Sequence, residues 1–232
     1  MKITRKPRLL SLSFCPTLIP LVLSGAKTNT MRVVKPQPFG RDGVLYWQPV
    51  GSPYTFPYFP HDGDALLRRH IAEAYKLQPG DQFFVNEPIE ILDVGRGIVL
   101  VRYVLDGLER ECTLPERVTV PSVGRWPGRN LPPEWARGFR GTAQSVTGMR
   151  VQEIDWQLAK AEGVSKYLYP ACGDHPDMIG YVTPADGEFG AAHKTREEAF
   201  AKLWDTINTN PAHRFEANPW VSSLAWTPGD NT

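Results

Sequence analysis

Apolar and polar residues alternate in the first part of the chain. In RLLSLSF, over 8–14, apolar side chains alternate with Ser11 and Ser13, which is the period of a half-buried β-strand. A short helix is predicted to follow, with Thr17 as its N-cap and Gly25 as its left-handed terminator. The polar stretch AKTNTMR after this glycine is predicted to be a loop.

Three later segments have the 3.6-residue periodicity of amphipathic helices. DALLRRHIAEAY is predicted to begin at a capping Asp64, and WQLAKAE to run from a capping Asp155 to a stop at Gly163. REEAFAKLWDTIN follows Thr195 and has Glu198 near its start, which is the pattern of a capping box.

Other segments are rich in β-branched residues or alternate with a period of two. LQPGDQFFV predicts a turn that leads into a strand, and IEILDVGRGIVLVRYV predicts a hairpin that turns at GRG. RVTV, GTAQSVTGMRVQEI and NPWVSSLAW predict further strands. Many short strands with few helices indicate an α+β protein, built as a small, strongly bent β-barrel with flanking α-helices.

The composition is that of a globular protein with long loops. Of the 232 residues, 41% are hydrophobic and 22% are charged, which is ordinary for a globular chain. The 22 prolines and 20 glycines concentrate at 36–60, 115–133 and 170–190, so we expect long ordered loops around a compact centre. Length alone leaves open whether the chain is one large domain or a smaller domain with insertions.

The first part of the chain also fits a second interpretation. Lysines and arginines precede an apolar run from Leu9 to Leu23 and small residues at 24–26, which is the order of a secretory signal. Pro16 and Pro20 interrupt that run, and cleavage after it would discard a predicted strand and helix. No other segment approaches the roughly 18 apolar residues of a membrane span. We therefore expect a cytoplasmic protein that does not bind a membrane.

The net charge of +1 hides a strongly basic first part of the chain. Residues 1–41 contain eight basic residues and no acidic one. A second basic tract, 117–150, contains six arginines and a single acid, with Trp126, Trp135 and Phe139 between the arginines. Arginines interleaved with aromatic residues suit a phosphate-bearing partner whose bases stack. A solvated surface with a few core aromatic residues accounts for the pattern equally well.

Metal and cofactor sites are not indicated. The three cysteines, Cys15, Cys112 and Cys172, are far apart and form no CxxC pair, so we expect free thiols in a reducing compartment. The five histidines form no spaced cluster that would bind a metal. The absence of GxGxxG, GxxxxGKS/T and GxSxG motifs argues against a nucleotide-cofactor fold and an α/β-hydrolase.

Four stretches, in the order in which they occur, resemble a known family. They are LSGAKTNTMRVVKPQP, LQPGDQFFVNEP, LPPEWARGFRGTAQSVTGMRVQEI with the later AEGV, and FAKLWDTIN with the later EANPWVSSLAW. The first matches a G-x-K-T-x-T-x-R loop, and the second matches P-G-D followed by a strand that ends in V-x-E. The chain is therefore similar to the ASCH-domain family, a branch of the PUA-like β-barrels, in the form carried by phages and prophages.

The resemblance implies a single ASCH domain over residues 1–232, with insertions at about 39–76, 95–125 and 165–192. It also implies a phage- or prophage-encoded protein in the cytoplasm of a bacterium. Members of the family bind RNA, cleave RNA, or hydrolyse N4-acetylcytidine to cytidine.

The members that hydrolyse N4-acetylcytidine use a Lys and a Thr of a G-x-K-x-x-T loop and a Glu at the end of a later helix. The matching residues of this chain are Lys27, Thr30 and Glu162. Thr30 supplies a hydroxyl nucleophile, and Lys27 either activates it or stabilises the oxyanion. Glu162 is predicted at a helix C-terminus, where the helix dipole raises the pKa of a carboxyl group and suits it to carry a proton. The alternative for Glu162 is an ordinary surface acid.

The resemblance further implies a set of substrate-binding residues. Thr28 and Arg32 belong to the loop, and Arg32 either binds a sugar or phosphate or lowers the pKa of the loop lysine as a neighbouring cation. Glu87 either bonds the edge of a base or caps a turn. Trp135 and Arg137 either line the same mouth or pack in the core.

One departure from the family pattern bears on substrate binding. Where phage relatives have V-R-E-T-W after the P-G-D strand, this chain has VNEPI, with Asn86 and Pro88. The Arg and Trp of the family pattern have no counterpart here, so we do not assign this chain any substrate-binding role that they have in the relatives.

We expect a metal-independent amidohydrolase, without a cofactor, that removes acyl groups from N4-acylated cytosine nucleosides or a related modified base. A non-catalytic RNA- or DNA-binding ASCH module is the first alternative, and a ribonuclease is the second. The expected partner is accordingly a modified cytosine nucleoside or a single-stranded nucleic acid.

Overall fold

A computed structural model describes the chain over residues 6–60, 62–105, 107–119, 121–126, 132–138, 140–169, 178–186 and 192–229. Within these ranges the α-helices are α1 (Ile19–Leu23), α2 (Gly63–Ala74), α3 (Trp156–Ala161) and α4 (Arg196–Ile207). The strands are β1 (Leu9–Leu12), β2 (Asn29–Val33), β3 (Phe39–Arg41), β4 (Val44–Trp47), β5 (Phe56–Tyr58), β6 (Gln82–Val85), β7 (Ile89–Gly95), β8 (Ile98–Tyr103), β9 (Glu109–Thr113), β10 (Gly124–Arg125), β11 (Arg140–Arg150), β12 (Ser165–Tyr169), β13 (Met178–Val182) and β14 (Trp220–Pro228).

The largest sheet has the strand order β1-β6-β11-β14-β2. β1 runs parallel to β6, and the other neighbours are antiparallel. In the described residues the edge strands β1 and β2 do not pair with each other, although the side chain of Arg32 on β2 donates a hydrogen bond to the carbonyl of Ser13, just after β1. The predicted α+β class is confirmed, whereas these strands do not close into a barrel.

The other strands form three smaller sheets. The second sheet has the order β10-β7-β8-β9, and the remaining two have the orders β3-β4-β5 and β12-β13. The predicted hairpin is confirmed as β7 and β8, whose connecting residues Arg96 and Gly97 have φ angles of 52° and 77°. Two positive φ angles in a two-residue loop match the twist of a β-hairpin. The segments 39–76, 95–125 and 165–192 contain β3–β5 with α2, β8–β10, and β12–β13. Their status as insertions in a single domain stays a prediction.

The strand predicted at RVTV is wrong. Arg117 and Val118 lie in a turn, in which the Val118 N–H donates to the Pro115 carbonyl at 3.0 Å. The turn over 115–118 places these residues outside an extended strand, so it overrides the β-propensity of the sequence. Val120 lies outside the described residues.

Two helix starts also differ from the predicted ones. Thr17 lies inside a 3₁₀ turn that begins at Pro16, since the fixed φ and missing N–H of proline suit the first position of such a turn. α2 begins at Gly63, so Asp64 lies in its first turn rather than at its cap. In the first turn, the carboxylate still interacts favourably with the positive end of the helix dipole.

The other predicted helix ends are confirmed. Asp155 caps α3 by accepting a hydrogen bond from the Leu158 N–H, and Thr195 and Glu198 form a capping box on α4. Gly25 ends the first helical segment with a φ of 75°. No helix in the described part of the chain is long and apolar enough to cross a membrane.

Apolar clusters cover both faces of the largest sheet. On one face, Leu224 and Trp226 of β14 pack with Ile19 and Val22 of α1. On the other face, Val221 packs with residues of α3 and α4. The sheet is thus held between α1 on one side and α3 with α4 on the other.

α2 lies against β11 at a glycine. A Cβ atom at Gly148 would lie 2.6 Å from the backbone oxygen of Arg68 and 2.8 Å from the Cβ of Ile71. Only glycine permits this approach. The contact holds α2 on the sheet, with Ile71 and Leu67 packed in one cluster with Trp220.

Candidate active site

The loop predicted at AKTNTMR is wrong from Asn29 onward, where β2 begins because these residues pair with β14. The short loop that remains after α1 is held against the end of α3 by backbone hydrogen bonds. The N–H of Lys27 donates to the Leu21 carbonyl at 2.9 Å, and the N–H of Thr28 donates to the Ala161 carbonyl at 3.0 Å. The Thr28 carbonyl accepts from the N–H of Trp226 at 3.0 Å. These bonds bring the start of β2 and the C-terminus of α3 together.

Lys27 and Glu162 form a buried pair at this junction. Lys27 is 0% exposed and Glu162 is 6% exposed. The Lys27 ammonium donates to the Glu162 carboxylate at Oε2, and it also donates to the Glu162 backbone carbonyl at 3.1 Å. Glu162 is therefore not the solvated surface acid that was its alternative role.

Burial shifts the pKa values of the two side chains toward each other. Desolvation lowers the pKa of Lys27, against the opposing effect of the Glu162 charge. Desolvation also raises the pKa of Glu162, against the opposing effects of Lys27, the Met31 backbone N–H and Arg32. The predicted direction for Glu162 agrees with this result, but the main cause is burial rather than the helix dipole. Two buried groups with converging pKa values are suited to exchange a proton.

Thr30 and Glu162 line one cavity of about 250 Å³, which Arg32 also lines and which we call the Thr30 cavity. Thr30 lies on the edge strand β2, is buried, and is paired in register with Leu224 of β14. Oε1 of Glu162 is buried, and the Met31 backbone N–H acts on the carboxyl group of this residue. Thr30 and the acidic residue of the buried pair therefore line the same cavity.

Arg32 is fixed from several sides. Its Nη2 donates to the Ser13 carbonyl, and its guanidinium lies over the Phe14 ring at 5.7 Å from the ring centroid. As a cation, Arg32 makes a small contribution to the lowered pKa of Lys27. Both roles predicted for Arg32, as a pKa-lowering neighbour and as a wall of the substrate site, are compatible with this position.

Glu87 lies apart from the residues of the Thr30 cavity. It is 2% exposed and does not line that cavity. Its charge acts on Tyr103, whose pKa is raised to about 12, mainly by burial. The structure thus places Glu87 beside the second sheet, which does not support a bond to the edge of a base in the Thr30 cavity.

Trp135, Arg137 and Thr28 do not line the Thr30 cavity either. Trp135 packs edge-to-face with Trp126, with 5.9 Å between ring centroids, in the core cluster of the second sheet. Arg137 lies over the Phe84 ring at 4.3 Å. For Trp135 the packing alternative is therefore the one observed, whereas Thr28 contributes backbone hydrogen bonds to the loop.

Tyr75 does not line the Thr30 cavity, but it is a neighbour of Arg32 that the sequence did not indicate. It follows α2, and its hydroxyl is close enough to interact with Arg32. Burial raises the pKa of Tyr75, and Arg32 opposes that effect. In the sequence Tyr75 is only the last residue of the predicted helix DALLRRHIAEAY, and no local pattern shows that the end of α2 lies near β2.

In the described part of the chain, no group of three His, Cys, Asp or Glu residues could hold a metal ion. Cys15 and Cys112 are free thiols. Cys172 lies outside the described residues, as do Phe139 and one of the arginines of the second basic tract.

No protein-family model, no curated protein and no solved structure matches this chain.

Proposed function

We propose that this protein is an amidohydrolase of the ASCH type, with a PUA-like domain, that removes the acyl group from N4-acylated cytosine nucleosides or a related modified base. The observation that supports the proposal most strongly is the buried Lys27–Glu162 pair, of which Glu162 lines the cavity that Thr30 also lines, whereas the fully buried Lys27 does not line it. A buried ion pair contributes little net stability, so a pair whose acidic residue lines a cavity favours a chemical role.

Lys27 and Glu162 prepare the nucleophile in this proposal. Proton transfer from Lys27 to Glu162 leaves a neutral amine and a neutral carboxylic acid, the forms that burial favours. The amine then takes the hydroxyl proton of Thr30 while Oγ1 attacks the acyl carbonyl carbon. The carbonyl electron pair moves to its oxygen, and the resulting oxyanion is stabilised by the Lys27 ammonium.

Collapse of this intermediate breaks the bond between the acyl carbon and N4. Glu162 donates its proton to N4, so the cytosine amine leaves and the acyl group remains on Thr30 as an ester. Water then attacks the ester and gives a proton to Glu162, and the Thr30 oxygen leaves with a proton from Lys27. Return of the proton from Glu162 to Lys27 then restores the starting ion pair, and the cycle ends with a free carboxylic acid.

The test is hydrolysis of N4-acetylcytidine followed by the change in absorbance of the base. We expect turnover by the wild-type protein and at least about a hundredfold loss in Lys27→Ala and Glu162→Gln. Lys202→Ala and Glu197→Gln change the same residue types on the exposed side of α4 and should keep full activity. Circular dichroism of each variant checks that it is folded.

The same experiment separates the alternatives. No turnover, or equal turnover in all variants, would contradict the proposal. Salt-sensitive binding of single-stranded oligonucleotides without turnover would indicate a binding module. Cleavage of labelled RNA would indicate a ribonuclease.

A further inference from the structure

Three cavities meet at Arg32. Besides the Thr30 cavity, a second cavity of about 200 Å³ is lined by Lys35, Tyr75 and Lys76, and a third of about 370 Å³ is lined by Tyr75 and Lys76. Arg32 lines all three, and Lys35 lines both the Thr30 cavity and the second cavity. The three spaces therefore share Arg32 as a wall.

The charged residues that line these spaces are predominantly basic. In the described part of the chain they are Arg32, Lys35 and Lys76, with Glu162 as the single acid. The Glu162 carboxylate is already bonded to Lys27. The three cations have no other carboxylate among the described residues of these spaces to pair with, so the region is favourable for an anion. A neutral nucleoside carries no negative charge and would not need three cations.

Arg32 is held rigidly at the centre of this region. Ser13 accepts one of its hydrogen bonds, and the Phe14 ring lies against its guanidinium. Its Nε is buried and has no hydrogen-bond partner among the described residues. A buried donor without an acceptor is costly, so an oxygen-rich ligand that supplies an acceptor would stabilise this arrangement.

Segment 39–76 provides much of the lining of the second cavity. Tyr75 and Lys76 follow α2, and Trp47 of β4 and Ile71 of α2 line the same cavity as Lys35. This segment thus adds a cationic extension to the space that begins at Thr30.

We infer that the substrate carries a phosphate group, which Arg32, Lys35 and Lys76 bind. The inference rests on the proposed function and specifies its substrate class. When the acyl group lies at Thr30, the sugar lies beside Arg32 and the phosphate lies between Lys35 and Lys76. A nucleoside monophosphate and a phosphodiester of a single-stranded polynucleotide present the same chemistry at this position.

The kinetic test compares three substrates: N4-acetylcytidine, its 5′-monophosphate, and a short single-stranded oligonucleotide with one N4-acetylcytidine. For the wild-type protein we expect the phosphorylated substrates to have a KM about tenfold lower than the nucleoside, with a strong dependence on salt. The double variant Lys35→Gln/Lys76→Gln should lose this advantage, so that its KM for the phosphorylated substrates is no longer lower than its KM for the nucleoside. Lys202→Gln is the matched control. A double variant that keeps the advantage, or a wild-type protein that shows none, overturns the inference.

A binding measurement separates failure of this inference from failure of the proposed function. Calorimetry with cytidine 5′-monophosphate and with cytidine requires no turnover. We expect the monophosphate to bind wild-type protein about tenfold more tightly and the double variant no more tightly than cytidine. Equal affinities in the wild-type protein would contradict a phosphate site whether or not hydrolysis is observed. A lower KM for the oligonucleotide than for the monophosphate identifies the polynucleotide as the source of the phosphate.

Discussion

Lys27 and Glu162 are the two residues on which the proposed hydrolysis depends most. They lie 135 positions apart in the chain, and their pairing buries two ionisable groups at the edge of a sheet. Removal of one partner leaves the other buried and uncompensated, which costs far more than the intact pair contributes.

Lys27→Met should destabilise the fold in a pH-dependent way. The pKa of Glu162 is already raised by burial, and loss of Lys27 removes the main opposing effect. A carboxyl group with a raised folded-state pKa contributes stability that is fully present below its unfolded pKa and is lost as pH rises through the folded value. The deficit relative to wild type should therefore grow from about pH 4 upward, toward about 3–5 kcal/mol.

Urea unfolding across this pH range measures the effect. The double variant Lys27→Met/Glu162→Gln removes the charge and should recover much of the loss, with no pH dependence from this position. An equal deficit for Lys27→Met at pH 4 and pH 8 would show that Glu162 does not become an uncompensated buried charge.

At this scale, the sequence predicted the residue types of the site but not their proximity. Helical periodicity placed Glu162 at a helix end and left open whether it was exposed. The resemblance to the ASCH pattern, and no local pattern, associated Glu162 with Lys27. The same limit explains why Glu87 was expected in the site and why the position of Tyr75 near Arg32 was not expected.

The elements that carry the pair are positioned by the backbone around Gly163. This glycine follows Glu162 with a φ of 108°, and a Cβ atom added to it would lie 2.8 Å from Cδ1 of Leu21. A side chain at this position would therefore strain the backbone and force the Leu21 side chain to shift.

Gly163→Ala should lower both stability and activity. We expect a loss of about 1–3 kcal/mol from backbone strain and steric contact, and a reduced kcat because Glu162 moves relative to Lys27. Gly80→Ala is the control, since Gly80 also has a positive φ, of 86°, but a Cβ atom there would meet nothing within 4 Å. Denaturant unfolding and kcat are measured for both variants. Equal losses in the two variants would mean that the contact with Leu21 has no effect.

Local chemistry predicted several elements well. The capping residues Asp155 and Thr195, and the GRG hairpin turn, act through neighbours within a few positions, so their patterns are visible in the sequence. The strand predicted at RVTV and the cap predicted at Asp64 were wrong, because the turn over 115–118 and an earlier helix start took precedence over local propensity.

At the scale of the whole molecule, segment 39–76 is joined to the main sheet through α2. Arg68 of α2 donates two hydrogen bonds to Glu153, both at 2.5 Å, and Glu153 also accepts from the Arg150 N–H at 3.2 Å. The hydrogen bond from Arg68 is the largest cause of the lowered pKa of Glu153, and burial opposes it.

Glu153→Gln should weaken this connection near neutral pH. A carboxyl group with a lowered folded-state pKa contributes stability above its unfolded pKa that is lost as pH falls through the folded value. Because both side chains are partly exposed, we expect a deficit of about 1 kcal/mol at pH 7 that disappears in acid. Thermal unfolding at pH 7 and pH 3 measures it, with Glu197→Gln as an exposed control. A deficit that persists unchanged at pH 3 would contradict an ionic contribution.

The order of strands in the main sheet was not predictable from the sequence. β1 pairs with β6, whose partners in register lie 73 positions away, and β14 separates β11 from β2. Hydrophobic alternation identifies a strand and its buried face, but it does not specify the neighbour. The α+β class follows from counting elements, and for that reason it was predictable where the topology was not.

In the proposed reaction Thr30 accepts the acyl group with the help of the Lys27–Glu162 pair. Single-turnover hydrolysis of N4-acetylcytidine and its 5′-monophosphate, with mass spectrometry of the protein during the reaction, tests this step. We expect a transient acetyl ester on Thr30, equimolar release of acetate and cytosine product, retention of activity in Thr30→Ser, and loss of both ester and product in Thr30→Val. Unchanged hydrolysis by Thr30→Val, or no hydrolysis of either substrate by the wild-type protein, would contradict it.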